Sequence, residues 1–342
     1  MNHFRSLQTI EQFLKEGQTN TGKPQAGDSV ARSAFQPAWV TIGSFDGVHL
    51  GHQAILKPLA EQAHAAGALA VVVTFHPHPV VVLRGVSQPI YITGPDERAQ
   101  LMHNLGIDAV LTLTFDRDLA ALSAEEFMQM MVDHLNLKQL WVGEDFALGR
   151  NRQGDIPALR AIGERLGYTV RVMETIEATT TQPVNSNSSS VKISSSIIRE
   201  LIRKGAVAEA NRMMGHPFTV EGKVIHGEAR GRHLGFPTAN VDYWMEKVTP
   251  ALGVYATWAW VGDQRYPSVT NIGLNPTFTD QLIHPRVEAF LIDFDGDLYE
   301  QEMRVEFLEF LRPELRFDSI QALIDQMNHD TERAREVLEH AT

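Results

Sequence analysis

The feature that most restricts the fold is a change of hydrophobic period part-way along the chain. Between Trp39 and Met173, short apolar runs alternate with stretches whose apolar residues recur at helical spacing. Trp39–Ile42, Leu69–Phe75, Ala109–Thr114, Leu140–Val142 and Thr169–Met173 read as buried strands, and 54–66, 95–105, 124–135 and 157–166 as helices. Such alternation predicts a parallel sheet covered on both faces. The stretch 195–214 reads as helical with a break at Gly205. Beyond Gly215-His216-Pro217, strand-like runs at 218–226, 253–261, 266–272, 287–293 and 303–309 follow one another with turn residues between them. They predict an antiparallel barrel, closed by an amphipathic helix over 319–339. The pattern therefore divides the chain into an N-terminal segment (1–36, partly flexible), an α/β domain (37–210) and a barrel domain (211–342). Two polar stretches, 17–33 and 177–190, hold too few apolar residues to offset the entropy of ordering them.

Composition narrows the function. Net charge is −12 over 342 residues, which argues against general binding to nucleic acid or an anionic membrane surface. Cysteine is absent, which removes disulfides, thiolate catalysis and Cys-ligated metal together. The longest apolar stretch, Ala68–Phe75, is far short of a bilayer span, and the first residues lack the apolar core of a signal peptide. These features predict a soluble cytoplasmic protein and leave room for a local cationic pocket holding a small phosphate ligand.

Two segments carry chemistry. Gly43-Ser44-Phe45-Asp46-Gly47-Val48-His49-Leu50-Gly51-His52 joins the first strand of the alternating region to its first helix. The glycines admit close backbone approach, and a helix start offers N–H donors and a positive dipole end to an anion. His49 and His52 are three residues apart, so both project near the first turn and suit a triphosphate whose leaving group gains charge. No Walker A loop is present. A glycine-rich turn with surface histidines is the plainer alternative. The second segment, Gly227–Asn240, contains Gly231, Arg232 and Gly235 and ends in Pro237-Thr238-Ala239-Asn240. Thr238 and Asn240 share one face of an extended chain and offer oxygen ligands to Mg²⁺. A β-hairpin loop explains the glycines and arginines equally well.

The first of these segments resembles the nucleotide-binding signature of the HxGH nucleotidyltransferases, as found in prokaryotic bifunctional riboflavin kinase/FAD synthetases. Three more runs match that family: Thr74-Phe75-His76-Pro77-His78-Pro79, Gly143-Glu144-Asp145-Phe146-Ala147-Leu148-Gly149 with Gly154-Asp155, and Ile193-Ser194-Ser195-Ser196-Ile197-Ile198-Arg199. Gly-Phe-Pro-Thr-Ala-Asn at 235–240 resembles the riboflavin kinase signature, with further matches at 253–256, 271–278, 287–288, 293–299 and 310–317.

The resemblance implies a Rossmann-like adenylyltransferase domain followed by a barrel kinase domain. ATP is the co-substrate of both, with Mg²⁺, and riboflavin and FMN are the other substrates. It implies Glu288 as kinase base, Thr238 and Asn240 as metal ligands, and His49, His52 and Arg199 as adenylyl-transfer groups. Gly43, Phe45, Asp46, Gly47, Gly51, Ser194, Ser195, Gly231, Arg232 and Gly235 are implied at nucleotide. Phe75, His76, Pro77, Pro79, Asp145 and Phe146 are implied at flavin. Departures from the pattern are Ser44 for Asn, Leu148 for Phe, Ser196 for Thr, and Glu300 for Gly. An alternative has one half active and the other sensing flavin or nucleotide. Another has the barrel binding flavin or RNA without catalysis, the RNA version being weakened by the acidic balance.

Overall fold

A strand buried on both faces can expose no polar side, and the β-branched runs of the first half meet that demand by stacking side by side. In the computed structural model they form a six-stranded, wholly parallel sheet. The structure describes residues 2–16, 35–86, 90–173, 177–178, 191–227, 234–274 and 285–340. In chain order the first half contains β1 (His3–Phe4), α1 (Leu7–Glu16), β2 (Ala38–Ile42), α2 (Leu50–Ala65), β3 (Leu69–His76), α3 (Pro79–Arg84), α4 (Pro95–His103) and β4 (Ala109–Thr114). There follow α5 (Arg117–Ala121), α6 (Ala124–Leu135), β5 (Leu137–Gly143), α7 (Ile156–Leu166), β6 (Thr169–Met173), β7 (Glu177–Ala178) and β8 (Val191–Lys192). The sheet order is β1-β4-β3-β2-β5-β6.

Alternate residues serve opposite faces. Val71 and Val73 of β3 join Val40, Met128, Leu140 and Leu159 in one core, while Ala70 and Val72 join Leu56, Leu59, Met102 and Trp141 in the other. Each such burial is worth roughly 1.5–3 kcal/mol for a Val or Leu side chain. The order reverses between β2 and β5, so the crevice expected for ligands opens at the carboxyl ends of those strands. The opening segment is more structured than its sequence predicts. β1 adds to the sheet beside β4, and Ile10 and Leu14 of α1 are fully buried, with Glu11 bonded to His134 of α6. The polar stretch 17–33 lies outside the described residues. Of 177–190, the first two residues pair with β8 as an antiparallel ladder, and the rest lies outside the described residues.

The chain forms two compact units, 1–87 with 95–192, and 88–94 with 193–342. The second contains α8 (Ser195–Arg203), α9 (Val207–Met214), β9 (Phe218–Ile225), β10 (Thr238–Tyr243), β11 (Gly253–Val261), β12 (Gln264–Gly273), β13 (Arg286–Leu291), β14 (Glu302–Arg312) and α10 (Ile320–Glu339). α9 packs on β9 and β14, where Asn211 donates to the Phe307 carbonyl and accepts from the Phe218 amide, both at 2.7 Å. Residues 90–91 bond to the Glu246 carbonyl, and Tyr91 stacks on Trp244 at 4.8 Å. The strands close as an antiparallel barrel in the order β10-β13-β12-β11-β14-β9. Its interior is filled by Phe218, Tyr255, Thr257, Ser268, Thr270 and Phe307, the Thr257 hydroxyl bonding to those of Ser268 and Thr270, each at 2.7 Å.

Candidate active sites

In the first unit, the backbone between β2 and α2 makes a tight, unusual turn. Phe45 (φ 47°), Gly47 (φ 80°) and Val48 (φ 37°) all adopt left-handed conformations. Gly43 lets the Phe45 ring pack close, since a Cβ there would lie 3.0 Å from it and the ring would have to shift. The turn delivers His49 to the N-cap of α2, where its Nδ1 accepts from the His52 amide at 3.3 Å. A neutral His49 so engaged carries its proton on Nε2. The two imidazoles stack with centroids 3.6 Å apart, and Phe45 meets His52 edge-on at 5.1 Å. His52 Nδ1 is buried and meets no hydrogen-bond partner among the described residues. Burial, then the neighbouring His49 and Arg98, hold the His52 pKa well below its ordinary value, so the ring is neutral. Asp46 is fully buried beside the Arg98 guanidinium, 3.7 Å away. The helix starts at Leu50, four residues before its apolar period does, because His49 caps it.

The neighbouring strand ends supply the other sequence candidates of this unit. His76 closes β3, and Pro79 already opens α3, with His78 as its N-cap, so the proline-rich run is a strand-to-helix junction. Phe75 lies 5.5 Å from Phe115 and 6.3 Å from Phe127. Phe75 and Phe146 are partly buried against the same core cluster. Asp145 is exposed, and its carbonyl accepts from Arg152 at 3.0 Å. The β2, β3 and β5 loops therefore meet along one sheet edge. Ser194, Ser195 and Arg199 belong to α8 in the second unit, where the Ser194 hydroxyl caps the helix by accepting from the Ile197 amide.

In the second unit the candidate residues lie on the outside of the barrel. Ala239, Val241, Val287 and Ala289 face inward and are buried, so Thr238, Asn240 and Glu288 face outward. Glu288 is directly opposite Asn240 on one side and Asn271 on the other. Arg286 Nη1 lies 3.3 Å from its carboxylate. Gly227 touches this group so closely that a Cβ would fall 2.2 Å from Asn240 Nδ2. An apolar cavity of about 290 Å³ adjoins it, with Phe236, Val269, Phe290, Leu323 and Met327 among its walls. The α10 wall is held by Arg312, which donates to both Asp330 carboxylate oxygens at 2.7–3.0 Å. A second cavity, of about 460 Å³, opens beside Pro237 and the 294–299 turn, and Thr238 lines both. Gly235 is described at φ 87°, whereas Gly231 and Arg232 lie outside the described residues.

Comparison with known proteins separates the two halves. A family model for FAD synthetase matches residues 31–188, and one for riboflavin kinase matches 214–338. Curated relatives named bifunctional riboflavin kinase/FMN adenylyltransferase are similar over most of their length. That of Listeria monocytogenes is 34% identical, covering 86% of this chain and 91% of the relative. That of Escherichia coli K12 is 36% identical, covering 87% and 91%. That of Pseudomonas fluorescens is 38% identical, covering 86% and 91%. The chain belongs to the bifunctional riboflavin kinase/FMN adenylyltransferase family. A solved structure of a macrolide-efflux protein from Streptococcus pneumoniae also superposes, with TM-score 0.77 and 30% identity, covering 88% of this chain and 94% of that one. Its name refers to efflux, whereas no described helix of this chain is long and apolar enough to cross a membrane.

As a riboflavin kinase/FMN adenylyltransferase, the chain shows features that its motifs did not announce. Arg98, Arg286 and Asp330 all border the candidate sites, while Asn271 and Arg312 lie in runs that the sequence already matched to the family. No sequence signal marks Arg98, whose charge is buried only because folding pairs it. The Ser194–Arg199 run falls between the two spans matched by the family models. Glu300, at the position where the family favours glycine, keeps the turn by adopting φ 63° and pairs with Lys223 at 3.0 Å.

Proposed function

We propose that the barrel unit phosphorylates riboflavin and that the sheet unit adenylylates the FMN produced. The enzyme is a riboflavin kinase and FMN adenylyltransferase using ATP twice, with residues 37–210 and 211–342 as its functional halves and 1–36 as a preceding segment. In the kinase, the isoalloxazine rings fit the apolar cavity beneath α10, and the nucleotide fits the larger, more polar cavity by the 294–299 turn. The single observation that carries this reading is that Thr238 lines both cavities beside Glu288.

Glu288 accepts the proton of the ribityl 5′-hydroxyl as its oxygen attacks the γ-phosphorus, and ADP leaves. Gly231, Arg232 and Gly235 cover the phosphates. The donor set of threonine hydroxyl, asparagine carbonyl and a nearby carboxylate is all hard oxygen, which fits Mg²⁺ with phosphates and water completing its shell. Thr238 and Asn240 would hold the ion, which supplies charge neutralisation on the transferring phosphoryl group.

In the adenylyltransferase, an FMN phosphate oxygen attacks the α-phosphorus of ATP and pyrophosphate leaves. The Gly43–Gly47 turn with Phe45 and Asp46, together with Gly51, binds the nucleotide, and the α2 N-terminus offers N–H donors to its phosphates. His49 and His52 stabilise charge gathering on the leaving pyrophosphate. Phe75, His76, Pro77, Pro79, Asp145 and Phe146 border the flavin. Ser194, Ser195 and Arg199 enter through the sequence motif, as phosphate-binding groups.

The absence of cysteine and the need for ATP support action in the cytoplasm. The negative balance supports small-molecule substrates rather than nucleic acid, by a monomer or weak homo-oligomer. The test is direct: purified protein with riboflavin and MgATP, followed by chromatographic separation, yields FMN and then FAD. Absence of both products refutes the reading.

A further inference from the structure

Arg98 is 1% exposed, on a helix whose buried neighbours are Ala99 and Met102, and the mechanism above gives it no part. Its guanidinium links three elements of the first unit. Nη1 donates to the Ser44 carbonyl at 2.7 Å and to Thr74 Oγ1 at 3.3 Å, and Nη2 lies 3.7 Å from Asp46 Oδ1. Thr74 Oγ1 donates to the same Ser44 carbonyl at 3.1 Å. One side chain from α4 thus grips the residues on both sides of Phe45, the first of the left-handed positions before His49. Such backbone persists only where its surroundings over-determine it.

We propose that Arg98 is a positioning residue for adenylyl transfer: it holds the Phe45–Val48 turn in its left-handed form and so places His49 and His52 at the start of α2. The inference rests on the adenylyl-transfer reading of that loop. A planar fork reaching a carbonyl and a carboxylate together is a task for arginine, and a lysine ammonium serves it only in part.

The test uses the full-length protein and its R98M and R98K variants. FAD formation is followed at varied ATP and FMN, FMN binding by flavin fluorescence, and FMN formation from riboflavin in the same preparations. Misplacing reacting groups lowers kcat by about 100-fold. The expected result is that loss in R98M, with FMN affinity and riboflavin phosphorylation near wild type, and at least about tenfold recovery in R98K. Wild-type kcat in R98M overturns the proposal. Should R98M fail to fold, R98K decides, a reduced kcat with intact FMN affinity supporting the proposal and a full kcat overturning it. Loss of FMN affinity in both variants makes Arg98 a folding residue and overturns it also. A wild type that makes no FAD from FMN refutes the underlying reading and the proposal with it, whereas an active wild type beside fully active variants refutes the proposal alone.

Discussion

Glu288 stands directly opposite Asn240 across the β10–β13 ladder, so the side chains of both project outward from the barrel about 5 Å apart at Cβ. The carboxylate proposed as base and the amide proposed as metal ligand are thereby held on rigid strands rather than on loops. Glu288→Ala lowers FMN formation by about 100-fold or more, the usual contribution of a positioned base. Conversion of supplied FMN to FAD continues at the wild-type rate. Chromatography of both reactions checks this, and loss of both in a folded variant contradicts the division of labour. Retained FMN formation instead removes Glu288 from the chemistry.

Asn240→Ala removes a hard oxygen donor while leaving the apolar cavity intact. The Mg²⁺ concentration for half-maximal kinase activity rises about tenfold, as for the loss of one support in a metal site. Titration of FMN formation with Mg²⁺ measures the shift. Chelation of Mg²⁺ stops phosphorylation in the wild type.

His49→Ala gives the complementary phenotype. FAD formation falls by about 100-fold or more when a preorganised donor to developing charge is lost. FMN accumulates from riboflavin at the normal rate. Following both products in one time course tests this and excludes the alternative in which only one half of the molecule is active.

His52 makes the first unit acid-sensitive. Its folded pKa lies below the ordinary value of 6.5, so the unfolded chain binds the extra proton. Stability is therefore complete above about pH 6.5 and declines as pH falls, by up to about 1.4 kcal/mol per pH unit for one site. His3, whose pKa is lowered chiefly by burial and held up in part by Asp96, adds in the same direction. Calorimetry from pH 7.5 to 5.5 shows a falling midpoint in the wild type and a flatter profile in His52→Asn.

Breaking the Arg312–Asp330 pair leaves a cation beside the cavity with its partner gone. Asp330→Ala costs about 3 kcal/mol, the usual penalty for one half of a buried pair. It also raises the KM for riboflavin, because α10 loses its most buried tie to β14 and keeps only the exposed Arg333–Glu309 pair among the described ion pairs. Denaturant unfolding and riboflavin titration report the two effects separately.

Much of this was legible in the residues. The helix at 124–135 and the strands at 109–114, 169–173 and 253–261 match their predicted limits, the helix because Ser123 and Asn136 bound its period and the last strand because Gly262 ends it. The groupings of His49 with His52 and of Thr238 and Asn240 with Glu288 were legible because short motifs carry them. β1 and α1 were not read: two residues are too few for a strand period, the helical spacing of Leu7, Ile10 and Leu14 stands alone before a polar stretch, and both elements owe their place to contacts made more than 100 residues away. β10 was read as an extended ligand-bearing segment rather than as the strand that closes the barrel. Arg98, Arg286 and Asp330 were hidden for the same reason, each acting through a partner brought close only by folding.

The barrel has a solid centre and does its work on its outer wall. Changes to Tyr255, Thr257 or Phe307 act on whether the cylinder holds together, whereas changes to Val269, Phe290, Leu323 or Met327 reshape the outer cavity that strands and terminal helix wall together. Mutations that alter the cavity's shape can therefore be made without touching the packing that keeps the cylinder closed.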